Sequence, residues 1–352
     1  MKCIYAVILF PFFLHSCQSR NKKEDALFSM ENITRANLQT ITVEVEDFNF
    51  EDLGNFLEVT SYIQLAAEPL LASIQEIQIK NEKIYIHDKF ARIICYDMQG
   101  KMIFKIDAKG AGPGEYTDVN TFVINEQSRE LIIYDNHKQS LLFYNADNGI
   151  FFKTQKLVKP DPTAMASLGG VYYYDNRYHS NYPNDTDLYY SLLVSKNAMT
   201  MDRHYFPHND AESSYRFRPT RQPFSYNDSV LYYCRNFDNV IYELNPDSLK
   251  ALYKIMLPDP LPFSKIENKI NGWELVNSKY SLGLESIYEC NNLLYFQFSK
   301  DGFLQSALYD LIQEKQIYCG KRLTDKVGKS VPIFQLIDGV YKGQFWGVLT
   351  PE

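Results

Sequence analysis

The feature that most constrains this chain is a turn that comes back at a fixed distance. Tyr96-Asp97-Met98-Gln99-Gly100 recurs 48 residues later as Tyr144-Asn145-Ala146-Asp147-Asn148-Gly149, and Tyr242 lies two further steps of 49 beyond Tyr144. Asp88 and Asp135 repeat at 47. Between these marks the sequence alternates. Residues 84–116, IYIHDKFARIICYDMQGKMIFKIDAKGAGPGEY, read as strand, turn, strand, turn, strand and a glycine-rich loop. Apolar alternation broken by turn residues every eight to twelve positions gives short antiparallel strands. A period of 40 to 50 residues with about four such strands is the signature of propeller blades. A two-domain β-sandwich would not impose the 48-residue step.

The units follow one another along the chain. The first takes strands at 74–79, 84–87, 93–96 and 102–106, and the second at 122–124, 131–134, 141–144 and 151–156. The third fits 170–174, 188–195 and 203–206, and the fourth 231–234, 240–244 and 252–256. The fifth has 284–288, 293–298, 305–309 and 316–319, delayed by a loop at 258–278 where Pro258, Pro260 and Pro262 block pairing. The last unit supplies only 332–337 and 345–349. With 27 Tyr and 23 Phe, the composition suits pleated, half-buried surfaces. The expectation is an all-β, six-bladed β-propeller of four-stranded antiparallel blades over residues 41–352. An N-terminal strand closes its last blade and removes the open edge. Residues 59–66 are the first choice for that strand and 41–45 the second.

The start of the chain carries an address. Lys2 precedes an apolar run at 4–13, too short to span a bilayer and of the right length for a secretory signal. Leu14-His15-Ser16-Cys17 resembles the lipobox of bacterial lipoproteins; an ordinary signal peptide is the other reading. The resemblance implies cleavage after residue 16 and acylation of Cys17, with residues 17–40 as a tether to the lipid bilayer. Several acyl chains on one residue suffice for stable attachment. Gln18 is not the aspartate that retains such proteins at the inner membrane, so a bacterial envelope address at the outer membrane is expected.

Tyr85-Ile86-His87-Asp88, Tyr96-Asp97-Met98-Gln99-Gly100-Lys101 and Lys109-Gly110-Ala111-Gly112-Pro113-Gly114-Glu115-Tyr116 resemble the first blade of NHL-like six-bladed β-propeller lipoproteins. The resemblance covers about residues 60–350. It implies the fold and an envelope location, and it brings no catalytic residues with it.

The chemistry the sequence can carry is limited. A net charge of −7 repels phosphate backbones, so no nucleic acid is expected as partner. Cys95 and Cys234 fall in strand patterns as core residues, while Cys290 and Cys319 flank one blade, where an oxidising envelope would allow a bridge. The loop of Gly110, Gly112, Pro113, Gly114, Glu115 and Tyr116 lacks the Lys-Ser/Thr and helix of a phosphate-binding loop. It reads as a tight crossover between blades, with Glu115 accepting backbone N–H bonds across the junction. If strands run from inner to outer, the turns between second and third strands share one face with the crossovers. That face collects Asp88, Arg92, Asp135, His137 and the segment Tyr215, Arg216, Phe217, Arg218 and Arg221. Guanidinium forks suit carboxylates and sulfates, aromatic faces suit sugar rings, and loops on rigid scaffolds are where binding resides. Asp88 and Asp135 hold equivalent places and read as turn caps rather than an acid–base pair.

A binding or scaffolding module for a glycan, peptide or protein is therefore the first expectation, with no cofactor. A metal-dependent lyase or hydrolase at the channel mouth is the alternative. His87, His137, His179, His204 and His208 are its potential Ca or Zn neighbours, although Pro207 prevents a helix from holding the last two on one face.

Overall fold

A computed structural model describes residues 33–35, 37–45, 51–52, 60–157, 159–176, 189–208, 222–227, 229–235, 237–267, 271–321, 323–325, 331–333 and 337–348. Three short strands come first: β1 (Ile33–Thr34), β2 (Gln39–Thr42) and β3 (Glu51–Asp52). Blade one is β4 (Ile74–Lys80), β5 (Lys83–Asp88), β6 (Ile93–Asp97) and β7 (Met102–Ile106). Blade two is β8 (Thr121–Asn125), β9 (Glu130–Asp135), β10 (Ser140–Asn145) and β11 (Phe151–Lys156). Blade three is β12 (Pro162–Leu168), β13 (Val171–Asn176), β14 (Tyr190–Ser195) and β15 (Arg203–Pro207). Blade four is β16 (Phe224–Asn227), β17 (Val230–Cys234), β18 (Val240–Asn245) and β19 (Ser248–Met256). Two helices follow, α1 (Phe263–Glu267) and α2 (Gly272–Val276). Blade five is β20 (Leu284–Cys290), β21 (Leu293–Lys300), β22 (Phe303–Asp310) and β23 (Lys315–Gly320). Then come β24 (Leu323–Asp325), β25 (Val331–Ile333), β26 (Gly339–Tyr341) and β27 (Gln344–Trp346).

Each of the five blades is a consecutive antiparallel meander, as the 48-residue step requires. The turns close through side chains. The Asp97 carboxylate accepts the N–H groups of Gln99 and Lys101, and Asn145 does the same for Asp147 and Asn148. This is why the recurring turn reads Asp or Asn at that place. Middle strands are buried on both faces because each sheet is sandwiched between neighbours: Ile84, Tyr85 and Ile86 are successive core residues.

Hydrophobic clusters fill the blade junctions. Tyr85, Cys95 and Phe104 of blade one meet Phe122, Leu131 and Tyr144 of blade two. Tyr134, Phe143 and Tyr174 join blades two and three, Tyr173, Leu192 and Tyr233 join three and four, and Tyr232, Leu284 and Phe296 join four and five. The other face of blade one, Ile84, Ile86, Ile94 and Tyr96, packs against Leu65 and Leu71 of the segment that leads into it.

Two expectations about closure need correction. Among the described residues there are five four-stranded blades, not six; the sixth position holds only the hairpin β26–β27. It packs on blade five through Ile337, Val340 and Tyr288 and touches blade one where the Tyr341 hydroxyl accepts the Glu82 N–H. Among the described residues no N-terminal strand pairs with this hairpin. Residues 60–66 are not strand; they run along blade one, with Ala66 N–H bonded to the Gly100 carbonyl, while Val59 lies outside the described residues. Strand β2 pairs in parallel with the outer strand β19 of blade four, as does β1, and β3 pairs in parallel with β24. The physical reason is apolar cover: Ile33, Ile41 and Val43 are buried at the rims of blade four's two junctions. Strand β1 and part of β2 thus fall within the 17–40 stretch read as a tether.

Two inner strands escaped the sequence reading. Strand β12 (PTAMASL) begins with proline and carries small residues, and β16 (FSYN) is only four residues long, so neither has a recognisable alternation. The proline-rich loop before blade five holds two helical turns. Cys290 and Cys319 remain thiols, in different clusters, because strand alternation sends them to opposite faces of blade five.

Candidate functional site

The meander order fixes which loops share a face. Inner strands leave the crossover face and outer strands return to it, so crossovers and the turns between second and third strands lie together. The opposite, hairpin face carries the other turns: Glu82 meets Lys342, and Asn291 meets Gly343.

On the crossover face of blade one, Asp88 is fully buried. Its carboxylate accepts the N–H groups of Ala72 (3.3 Å), Phe90 (3.1 Å) and Arg92 (3.3 Å), and it forms an ion pair with the Arg92 guanidinium. Burial pushes the Asp88 carboxyl up, but the Arg92 bond and the backbone donors prevail and hold it below the usual range. Arg92 also donates to the Leu70 carbonyl at 2.8 Å. Asp88 and Arg92 together fasten the entering segment to the blade.

Asp135 repeats the device in blade two, accepting from Thr117 (2.6 Å), His137 (3.0 Å) and Lys138 (3.1 Å). Asn176 repeats it in blade three. Its amide oxygen accepts the Asp161 N–H at 3.0 Å, and its Nδ2 donates to the Tyr190 carbonyl. In all three blades the last residue of the second strand captures an N–H of the incoming crossover. The sequence reading found the two aspartates and missed Asn176, which stands 41 residues after Asp135 in the same turn position. His137 is exposed beside Asp135, whereas His87 is buried under the crossover, where desolvation lowers its basicity.

The loop of Gly110, Gly112, Pro113, Gly114, Glu115 and Tyr116 is a clamp between blades one and two. The Glu115 carboxylate accepts the Gly112 N–H at 2.6 Å, inside the loop rather than across the junction as expected. What crosses the junction is Lys138, whose ammonium donates to the Gly110 and Glu115 carbonyls at 2.8 Å each. The Tyr116 hydroxyl donates to the Ala91 carbonyl at 2.7 Å and the Tyr144 hydroxyl to the Gly114 carbonyl at 2.6 Å. Burial pushes the Tyr116 phenol up to about 12, so it stays a donor. Gly114 has φ +75°, and a Cβ there would stand 2.7 Å from the Phe151 ring. Only glycine fits.

The ring's interior is polar. Side chains from β4 satisfy the free inner edge of β8: Gln78 donates to the Phe122 carbonyl and accepts the Ile124 N–H. Glu76 accepts from Gln78 and Thr121. Desolvation raises the Glu76 carboxyl to about 7. Toward the hairpin face Lys80 pairs with Glu126 and lies 3.4 Å from the Tyr226 ring centroid, and the Tyr226 hydroxyl meets the backbone of Ser167. Lys80 on blade one thus reaches blade four.

Of the nine residues read as a binding face, Asp88, Arg92, Asp135 and His137 lie on the crossover face. Tyr215, Arg216, Phe217, Arg218 and Arg221 lie outside the described residues, as do Cys17 and His179. Among the described residues no group of three His, Cys, Asp or Glu side chains forms a metal-binding set, and no helix is long and apolar enough to cross a membrane.

Comparison with known proteins adds a family and a fold. A domain family of unknown function, DUF4934, matches residues 38–352. A search of curated proteins finds no match. Among solved structures, a Bacteroides fragilis protein assigned as exported is similar at TM-score 0.67 and 18% identity, with 80% of each chain covered. A DUF4221 family member from Bacteroides vulgatus is similar at TM-score 0.47 and 11% identity, over 71% of this chain and 81% of that one. BamB from Moraxella catarrhalis reaches TM-score 0.41 at 11% identity, over 71% and 65%. The first of these shares the propeller fold.

Proposed function

The chain belongs to the DUF4934 family of domains of unknown function, and on that premise we propose that it is a binding or scaffolding module of the bacterial envelope. It presents its crossover face to a glycan, peptide or protein. One observation carries this reading. The carboxylates of Asp88 and Asp135 are saturated by backbone N–H groups, and Asp88 also by Arg92, which suits them to holding loops in place rather than to moving protons. The blades form a rigid frame, and the loops they hold are the parts free to vary in contact.

The reading extends to attachment. Acylation at Cys17, in keeping with the lipobox and the NHL-like resemblance, anchors the chain at the outer membrane. Strand β1 runs parallel to β19 and begins beside the β18–β19 turn, so the tether meets the body at the hairpin face. Fifteen residues between Cys17 and Ile33 reach about 50 Å at full extension. The hairpin face then turns toward the bilayer and the crossover face away from it.

Two measurements test this. Cys17→Ala is expected to move the protein from the membrane pellet to the soluble fraction and to abolish incorporation of labelled palmitate; an unchanged pellet and label would end the anchoring claim. On glycan and peptide arrays the full chain is expected to give specific binding that Arg218→Ala weakens at least about tenfold. Silence on both arrays would overturn the binding reading, and undiminished binding by Arg218→Ala would remove residues 215–221 from the site.

A further inference from the structure

The outer strands of the ring differ in how their edges are treated. In blades one, two, four and five the outer strand carries one extra residue, Ile103, Phe152, Leu252 and Ile317 in turn, where its register against the third strand shifts. The same strands carry lysines: Lys105, Lys153, Lys254 and Lys315. Bulges and lysines are devices that keep a sheet edge from pairing with another chain. Strand β2, which lies outside β19 on blade four, has neither. Its residues Gln39–Thr42 pair with Tyr253–Met256 in unbroken register and bear no charge.

The backbone of β2 shows which groups are open. The Val43 N–H bonds the Met256 carbonyl at 3.1 Å, so odd-numbered residues turn their N–H and C=O groups toward β19. Even-numbered residues turn theirs the other way. At Glu44 this outward pair is taken by a side chain of blade five. The Gln316 Oε1 accepts the Glu44 N–H at 2.9 Å, and its Nε2 donates to the Glu44 carbonyl at 2.8 Å. The Gln316 amide thus stands where a peptide unit of an added strand would stand. The corresponding N–H and C=O pairs of Thr40 and Thr42 have no partner among the described residues.

Those two pairs open into a cleft of about 450 Å³ between β2 and the outer end of blade five. Thr40, Thr42 and Glu44 line one side, and Tyr309 with the start of β23 lines the other. A bond from Gln39 Nε2 to Glu314 Oε1 at 3.4 Å spans the far end. Gln39 and Glu44 are five steps of about 3.3 Å apart along the strand, the length of a short extended segment. The wall formed by blade five keeps the edge of a folded sheet away from Thr40 and Thr42, whereas a single bare strand can enter. A sugar or a lipid does not offer an N–H and a C=O at every second position. An extended polypeptide does.

We propose that the free edge of β2 is a docking site for an extended peptide segment of a partner protein, which adds to blade four as a further strand at Thr40 and Thr42. The four backbone groups of these two threonines hold the segment, and it must carry an N–H at the alternate positions that face them, which excludes proline there. The site lies on the outer rim, apart from the crossover face, and does not rest on the reading of that face.

The test uses the full chain and a phage-displayed library of random heptapeptides, the most enriched sequence then being synthesised and measured by fluorescence anisotropy. N-methylation of one alternate set of its amides is expected to weaken binding at least about tenfold, and N-methylation of the other set to leave it within about twofold. Thr42→Pro removes an open N–H while the β2–β19 bonds, made by odd-numbered residues, stay in place. It should weaken binding at least about tenfold with unchanged circular dichroism and melting temperature. Thr40→Pro repeats the check at the other open pair. No enrichment over a plate without the protein overturns the site. So does binding that both proline variants, or both methylated peptides, leave unchanged. Dimerisation in light scattering without peptide, abolished by Thr42→Pro, replaces the partner's segment by a strand of a second copy.

Discussion

The two faces of blade one are made from one sheet and meet very different partners. Toward blade two, Tyr85, Cys95 and Phe104 interlock with another four-stranded sheet, and the crossover loop, Lys138 and two tyrosine hydroxyls staple the junction. Toward the hairpin β26–β27, Ile84, Ile86, Ile94 and Tyr96 are covered by an irregular segment whose grip is polar: Asp88 to Ala72, Arg92 to Leu70, Gly100 to Ala66. A regular junction draws on area, and a closing seam draws on a few hydrogen bonds that each matter more.

The largest expected effect is at Asp88. Asp88→Ala takes the carboxylate away from the half-buried Arg92 guanidinium and from three N–H groups, and should lower stability by about 3–5 kcal/mol in urea denaturation. Asp135→Ala removes three N–H bonds but no ion pair, and should lose about 2–3 kcal/mol. Equal losses would dissolve the contrast between seam and junction. Because the Asp88 carboxyl is held low, its stabilisation is complete above the unfolded value near 4 and disappears as pH falls through the lower folded value.

Next come the glycines. At Gly100, φ is +78° and a Cβ would meet the Gln64 carbonyl oxygen at 2.0 Å, so Gly100→Ala must push the entering segment away. Gly114→Ala strains the junction clamp instead, against Phe151. Both should lose about 2–3 kcal/mol. The two should differ in hydrogen exchange, with faster exchange at residues 64–72 in the first and at 108–117 in the second. Loss of protection at one common site in both variants would contradict the assignment of separate fasteners.

Glu76 works in the opposite sense from Asp88. Its folded-state proton affinity lies near 7, above the unfolded 4.5, so its stabilisation is complete below about pH 4.5 and is lost as pH rises through 7. Glu76→Gln keeps an acceptor for Thr121 and removes the titration. It should raise stability at pH 8 by about 1–3 kcal/mol and flatten the stability slope between pH 4.5 and 7. An unchanged slope would mean the carboxylate is solvated in the ring. The smallest effect is expected at Tyr144→Phe, which removes one hydroxyl bond to Gly114 and should lose about 1 kcal/mol.

Much of this was legible in the residues and some was not, for reasons that particular positions make plain. Asp88 and Asp135 could be found because a turn that needs a side-chain acceptor repeats its residue type, and Asn176 was passed over because an amide does the same work under another letter. Strand β12 was invisible because its environment on both faces is supplied by neighbours, so its own alternation is weak. The helical turns α1 and α2 were hidden because proline punctuation reads as a loop, and each is held to the body by a single buried residue, Ile266 and Leu275.

What the amino-acid order determined by itself is local and periodic: the four-stranded unit, its step along the chain and the residues that cap its turns. These depend on the alternation of neighbouring side chains and on hydrogen bonds spanning two to five positions. What only the tertiary structure decided is how the ring ends. Whether β2 pairs with β19 or completes a last blade depends on which apolar rim most needs cover. That competition is settled between residues more than 200 positions apart, where no pattern in the sequence records the outcome.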